Sequence, residues 1–306
     1  MRIAVIGSGA LGLYYGALLQ RGGNDVRFLL RSDFDAITAR GLTIMSAQGN
    51  FHLDQVAGFR APQEMGEVDL VLVGLKTTAN DVLTRLVAPL MQNPACSVLT
   101  LQNGLGNEEL LADAFGPERV LGGIAFLCSN RGEAGIVHHL GQGSVRLGEF
   151  RGGGSARTEQ LAVTFSAAGI PCTAVADLCR ARWEKLVWNI PFNGLCALTG
   201  KDVTEILAVP ACRAQVREMM LEVSAGANTQ GLSTPLDGAT FAEKMLLATD
   251  AMDHYRPSMM LDRLAERPVE VQAIYHEPLR RAARCGVTMP RVQLLAALLS
   301  LPGSLC

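Results

Sequence analysis

The sequence lacks what a metal, nucleic-acid or membrane protein is built around. Its eight cysteines are scattered over 306 residues with no C-x-x-C pair, which reads as separate reduced thiols, mostly buried, rather than a zinc site or a disulfide framework. The five histidines show no ligand spacing, and His138 and His139 read as a surface pair on a strand; no metal site is expected. Charged residues make up 18% of the chain, the formal net charge is −2, and no basic run occurs, so nothing is arranged to hold the phosphates of a nucleic acid. The apolar runs at 68–75 and 120–128 have the length of buried strands, and 292–301 is too short to cross a bilayer. Repeats and low-complexity tracts are missing too. What is present is 49% hydrophobic residue, enough for a large core in two domains.

Residues 2–6 are a short apolar strand pattern that opens into Gly7-Ser8-Gly9-Ala10-Leu11-Gly12, and a helical stretch follows at 13–21. That order suits a dinucleotide. Gly7 permits the tight turn, Gly9 lets the backbone approach a pyrophosphate, and Gly12 lets the helix pack on the sheet. Unpaired amides at the helix start would receive the phosphates. The competing reading is a secretory signal or membrane anchor over the uncharged stretch 3–20. Four glycines, the Tyr14-Tyr15 pair and the missing cleavage pattern argue against it.

The second strand, 26–30, ends about twenty residues past the glycines, where an NAD enzyme usually carries an acid for the ribose 2′-hydroxyl. Here Arg31 and Ser32 stand instead. A guanidinium favours a 2′-phosphate, so NADPH is the expected cofactor. Asp33 and Asp35 follow closely and weigh the other way, and a solvated arginine is the plain alternative.

Further strand patterns fall at 42–45 and 51–53 (a hairpin), 70–75, 98–101, 120–127, 136–139, 144–147 and 171–175, with a helix at 157–168. From 177 on, helical periodicity dominates. The expected architecture is α/β: a Rossmann-type nucleotide-binding domain over 1–176, then an all-helical substrate domain over 177–306.

Ligands of open α/β sheets collect at strand carboxyl ends, where Lys76 and Asn103-Gly104 lie; a solvent lysine and an ordinary turn are the alternatives. Lys185, Asn189 and Asn193 recur at i, i+4 and i+8 in an otherwise apolar helix, so they share a face. Pro191 should kink that helix. Ser258 reads as a helix cap, and Glu270 as an acid in the first turn after Pro268.

The glycine loop, Arg31, Lys76, Asn103-Gly104, Lys185-Leu186 with Asn189 and Asn193, Pro257-Ser258-Met259 with Asp262, and Arg267-Pro268 with Glu270 occur in that order. Together they resemble the ketopantoate reductase (2-dehydropantoate 2-reductase) family across nearly the whole chain. The resemblance implies reduction of a 2-keto acid by NADPH. It implies Lys185 as general acid, Glu270 as a carboxylate holding substrate, and Asn103 touching substrate and cofactor with Lys76 beside them. Asn189, Asn193 and Ser258 would contact the substrate, and Arg31 the 2′-phosphate. Gly194 departs from a proline common in relatives, and His276-Glu277-Pro278 replaces a smaller glycine-containing segment, with Pro278 set to bend its helix. Partial burial should lower the Lys185 pKa towards the working range.

The expected function is therefore reduction of ketopantoate to pantoate in the cytoplasm, with a second copy of the chain as the one protein partner considered. Two alternatives are a reductase of another small 2-keto acid and a non-catalytic NADPH sensor.

Overall fold

Runs in which every side chain is apolar need a sheet covered on both faces, and the N-terminal half supplies one. The computed structural model describes residues 1–301. One unit comprises Met1–Gln102 and Asn107–Leu178; the other comprises Asn103–Gly106 and the chain from Cys179 onward. The return of Asn103–Gly106 to the second unit has no counterpart in the simple cut at 176.

The first unit contains β1 (Arg2–Ile6), β2 (Asp25–Leu29), β3 (Leu42–Ser46), β4 (Phe51–Leu53), β5 (Ala57–Phe59), β6 (Leu70–Val73), β7 (Ser97–Thr100), β8 (Val120–Arg131), β9 (Ile136–Glu149) and β10 (Cys172–Ala174). Six strands lie parallel in the order β5-β2-β1-β6-β7-β8. The chain leaves β1 towards β2 and β5 on one side and resumes at β6 on the other, so β1 and β6 flank a topological switch point. β9 returns antiparallel to β8. Its other edge pairs with β3 at its start and β10 at its end, while β4 closes antiparallel on β3.

The patterns at 136–139 and 144–147 are one strand, not two. Register shifts opposite Phe126–Leu127 and Cys128–Ser129, with Gln142 at φ +59°, break the alternation without breaking the pairing, as bulges do. β5 is absent from the sequence pattern because Ala57-Gly58-Phe59 has no β-branched residue and only one aromatic to mark it. His139 is not at the surface: it is 3% exposed, with Nδ1 2.8 Å from the Ser46 hydroxyl and Nε2 3.0 Å from the Gln142 carbonyl. Nor are the thiols mostly buried: among the seven cysteines described, none in a disulfide, only Cys96 and Cys196 are buried.

The second unit is helical: Leu178–Thr199, Val203–Leu207, Pro210–Asn228, Gly238–Asp250, Ser258–Leu264, Glu277–Arg284 and Pro290–Leu299, with a π-type turn at Gln272–His276. Trp183, Val187, Ile190, Phe192, Val223 and Tyr275 are core residues. Pro191 lies inside Leu178–Thr199 without ending it. The Tyr275 hydroxyl donates to the Ile190 carbonyl at 2.9 Å, and burial pushes its pKa well above the ordinary range, which keeps that proton in place. A Cβ on Gly194 would sit 2.6 Å from Leu295 Cδ2 and 2.8 Å from the Tyr275 hydroxyl, so a larger residue here would have to displace one of those side chains. Among the described residues, no helix is long and apolar enough to cross a membrane.

Candidate active site

The glycine loop joins β1 to the helix Ala10–Arg21. Gly7 has φ +106°, and a Cβ there would meet the Leu75 amide nitrogen at 2.3 Å. A Cβ on Gly12 would lie 2.1 Å from the Gly7 carbonyl oxygen, so helix, loop and sheet approach as closely as backbones can. Gly9 differs: nothing lies within 4 Å of where its Cβ would be. Gly9 is also the N-cap, with no side-chain cap and no acid in the first turn. The helix start therefore keeps amides for an outside acceptor and nothing to repel an anion. Ser8 turns its hydroxyl back onto the Leu29 carbonyl at 2.5 Å, which ties the loop to β2. The open space and uncapped amides fit a dinucleotide pyrophosphate.

Arg31 is exposed just past β2, and Lys76 is exposed past the end of β6. Both stand at carboxyl ends of strands flanking the glycine loop.

The other predicted polar residues belong to the second unit. Asn103 lies between Lys185 and Glu270. The Lys185 Nζ donates to Asn103 Oδ1 at 2.8 Å, and Asn103 Nδ2 donates to Glu270 Oε2 at 3.4 Å. The amide thus accepts from the cation and donates to the carboxylate. Glu270 is 5% exposed. It directly precedes the helical segment, which begins at Val271, and its carbonyl accepts from the Ile274 amide at 3.2 Å, as the residue capping a helix start does.

Asn189 and Asn193 follow Lys185 by one and two turns of Leu178–Thr199. They are 6% and 3% exposed, and among the described residues neither side-chain amide has a hydrogen-bond partner. Neither amide is among the fully buried polar atoms left without a partner, so both reach open space from a largely buried helix face, where an external polar group could pair with them. Ser258 is exposed as the first residue of Ser258–Leu264; Pro257 is the N-cap, and the serine makes no capping bond. Among the described residues, no hydrogen bond links Asn189, Asn193 or Ser258 to the Lys185–Asn103–Glu270 group.

The sequence reading missed what holds Asn103. In the π-type turn the Glu277 amide bonds the Gln272 carbonyl, five residues back. Pro278 has no amide to continue this pairing to Ala273. The Ala273 carbonyl instead accepts from the Leu105 amide at 3.0 Å. Gly104, at φ +78°, makes the approach possible, since a Cβ there would lie 2.3 Å from that carbonyl oxygen. In the first unit, Asn80 holds both flanks of the same loop: Gln102 Nε2 donates to Asn80 Oδ1 at 2.8 Å, and Asn80 Nδ2 to Asn107 Oδ1 at 2.9 Å. Pro278 was the available signal, though its consequence, at Leu105, lies 173 residues earlier in the chain.

The family model described as ketopantoate reductase PanE/ApbA matches residues 3–152, and that of the PanE/ApbA C-terminal domain matches residues 177–302. The chain is 42% identical to a 2-dehydropantoate 2-reductase of Nostoc sp., covering 96% of this chain and 92% of that protein. It is similar to the crystal structure of a 2-dehydropantoate 2-reductase from Geobacter metallireducens, with 58% identity, a TM-score of 0.95, and 98% and 99% of the two chains covered. A corresponding structure from Methylococcus capsulatus has 33% identity, a TM-score of 0.89, and 98% and 96% coverage. With both family models matched in order over most of its length, the chain belongs to the ketopantoate reductase family.

Proposed function

We propose that the chain is an NADPH-dependent 2-dehydropantoate 2-reductase that reduces ketopantoate to pantoate. The observation that carries the chemistry is the bridge from Lys185 through Asn103 to Glu270, with Lys185 on the helix that also carries Asn189 and Asn193. Residues Gly7 to Gly12, Arg31, Lys76 and Asn103 would hold NADPH, which when bound would supply a hydride for C2 of the keto acid. Lys185 donates the proton to the oxygen at C2 as it becomes an alkoxide, and its charge stabilises that oxygen before the proton moves. Asn103 fixes the Nζ and so limits the positions from which the proton leaves. Glu270, Asn189, Asn193 and Ser258 bind the substrate.

Several observations support the reading. The carboxylate and amides offer hydrogen bonds and no cluster of cations. This suits a small keto acid with a hydroxyl better than a phosphorylated one. The relatives of 42% and 58% identity carry the same activity in their names. The retained Lys185 and Glu270 argue against a non-catalytic sensor. The proposal includes a cytoplasmic location, no nucleic-acid partner and a two-copy assembly, read by cell fractionation and light scattering. The deciding experiment follows the loss of NADPH absorbance with ketopantoate beside a panel of 2-keto acids. Ketopantoate should give the highest kcat/KM. Turnover of another keto acid without ketopantoate would retain the reductase and replace the substrate.

A further inference from the structure

The loop after β2 is an odd place for a phosphate dianion. Residues 31–35 carry one arginine and two aspartates, a net charge of −1. Two arginines from distant positions change this. Arg131, the last residue of β8, pairs through Nη2 with Asp33 Oδ1. Arg60, just past β5, pairs with Asp35 at 2.7 Å, and its guanidinium lies 4.0 Å over the Phe34 ring. Arg31 itself has no ion pair among the described residues. With its two acids matched, the group as a whole carries a net charge of +1, and Arg31 is the cation left over.

We propose that Arg131 is a cofactor-selectivity residue: by neutralising Asp33 it lets Arg31 hold the adenosine 2′-phosphate. The inference rests on the NADPH reading above and deepens it. The Asp33 pair matters more than the Asp35 pair because of burial. Asp33 is 4% exposed, whereas Asp35 is almost fully solvated. An exposed carboxylate is screened by water and salt with or without its partner. A buried one is not, and removing its partner leaves an uncompensated charge two residues from Arg31. Among the described residues, Asp33 accepts besides Arg131 only from the Ser32 hydroxyl, at 3.2 Å, and its buried Oδ2 has no partner.

The test measures binding of NADPH and of NADH by isothermal titration, without substrate. Wild type should prefer NADPH. Arg31→Ala should weaken NADPH by roughly ten- to hundredfold, the value of a lost charge-assisted contact. Arg131→Met should weaken NADPH by about tenfold, as expected for an unmasked charge nearby, and should leave NADH almost unchanged. Arg131→Lys should restore most of that loss, and Asp33→Asn in the Arg131→Met background should restore the rest. Asp33→Asn alone, which frees Arg131, should tighten NADPH and not NADH; this arm stands even if Arg131→Met fails to fold. Arg60→Ala should shift NADPH by less than Arg131→Met. Equal wild-type affinities for the two cofactors would overturn the NADPH reading and the inference with it. A wild-type preference for NADPH that survives Arg131→Met, or an equal loss of both cofactors, would overturn the inference alone.

Discussion

Six consecutive residues build the glycine loop of the first unit, whereas the polar group of the second brings Lys185 and Glu270 to Asn103 from 82 and 167 residues away. The loop works by absence. Its backbone approaches are set by missing Cβ atoms at Gly7 and Gly12, and its open face by the bare Gly9. The polar group works by presence, through one amide oriented between a cation and a carboxylate. A backbone site tolerates exchange of most side chains around it but no added carbon at its contacts. A side-chain site can lose its function through one truncation while its helices stay packed.

The sharpest way to break that comparison is at Lys185. Lys185→Ala should lower kcat by about 10²–10⁴-fold, the usual range for a positioned general acid, while the titrated affinity for NADPH changes little. The side chain is only partly buried, so the melting temperature should move by no more than a few degrees. A variant with near-normal turnover would remove Lys185 from the chemistry and leave the glycine loop as the only site supported.

The same contrast decides what was legible in the sequence. The glycine loop is local, so its order of strand, glycines and helix could be read directly, and the contacts at Gly7 and Gly12 follow from it. The i, i+4, i+8 pattern of Lys185, Asn189 and Asn193 was legible for the same reason. The placement of Asn103 was not. A residue at the end of a parallel strand reads as part of the sheet's own site, yet Asn103–Gly106 belongs with the helical unit. What puts it there is a carbonyl of Ala273 freed by Pro278, and no pattern within a short window reports such a pairing. The partners of Asp33 and Asp35 were hidden likewise: two acids beside Arg31 looked like a conflict until Arg131 and Arg60 met them. Residue type and period carry local geometry; long-range charge matching needs the fold.

Two glycines that play corresponding parts in the two units give a more even test. Gly12→Ala places a methyl 2.1 Å from the Gly7 carbonyl oxygen, and Gly104→Ala places one 2.3 Å from the Ala273 carbonyl oxygen. Overpacking of this kind costs about 1–3 kcal/mol, enough for a roughly ten- to hundredfold change where it falls on a ligand or a reacting group. Gly12→Ala should spend that on NADPH affinity. Gly104→Ala should spend it on kcat, because the displaced loop carries Asn103 away from Lys185, with a smaller change in NADPH binding. Titration of both variants beside steady-state kinetics separates the two. If Gly104→Ala weakens NADPH as much as Gly12→Ala does and leaves kcat intact, Asn103 serves the cofactor and not the proton donor.

The smallest expected effect concerns Asn193. The residue is 3% exposed, its amide has no hydrogen-bond partner among the described residues, and it lies two turns from Lys185 on the same helix. A substrate hydroxyl is the group that would satisfy it. Asn193→Ala should then raise KM for ketopantoate by about five- to tenfold, the value of one neutral hydrogen bond, with kcat nearly unchanged because the bond is the same in ground and transition states. Keto acids without the hydroxyl should show no such rise. They leave the amide unpaired in the wild type, and truncating it removes that cost. Selectivity between the two substrate classes should therefore fall by the same factor as KM rises. An equal rise in KM for both would place Asn193 against the carboxylate shared by all 2-keto acids, and the hydroxyl would have to be read elsewhere, with Asn189 the next amide to truncate.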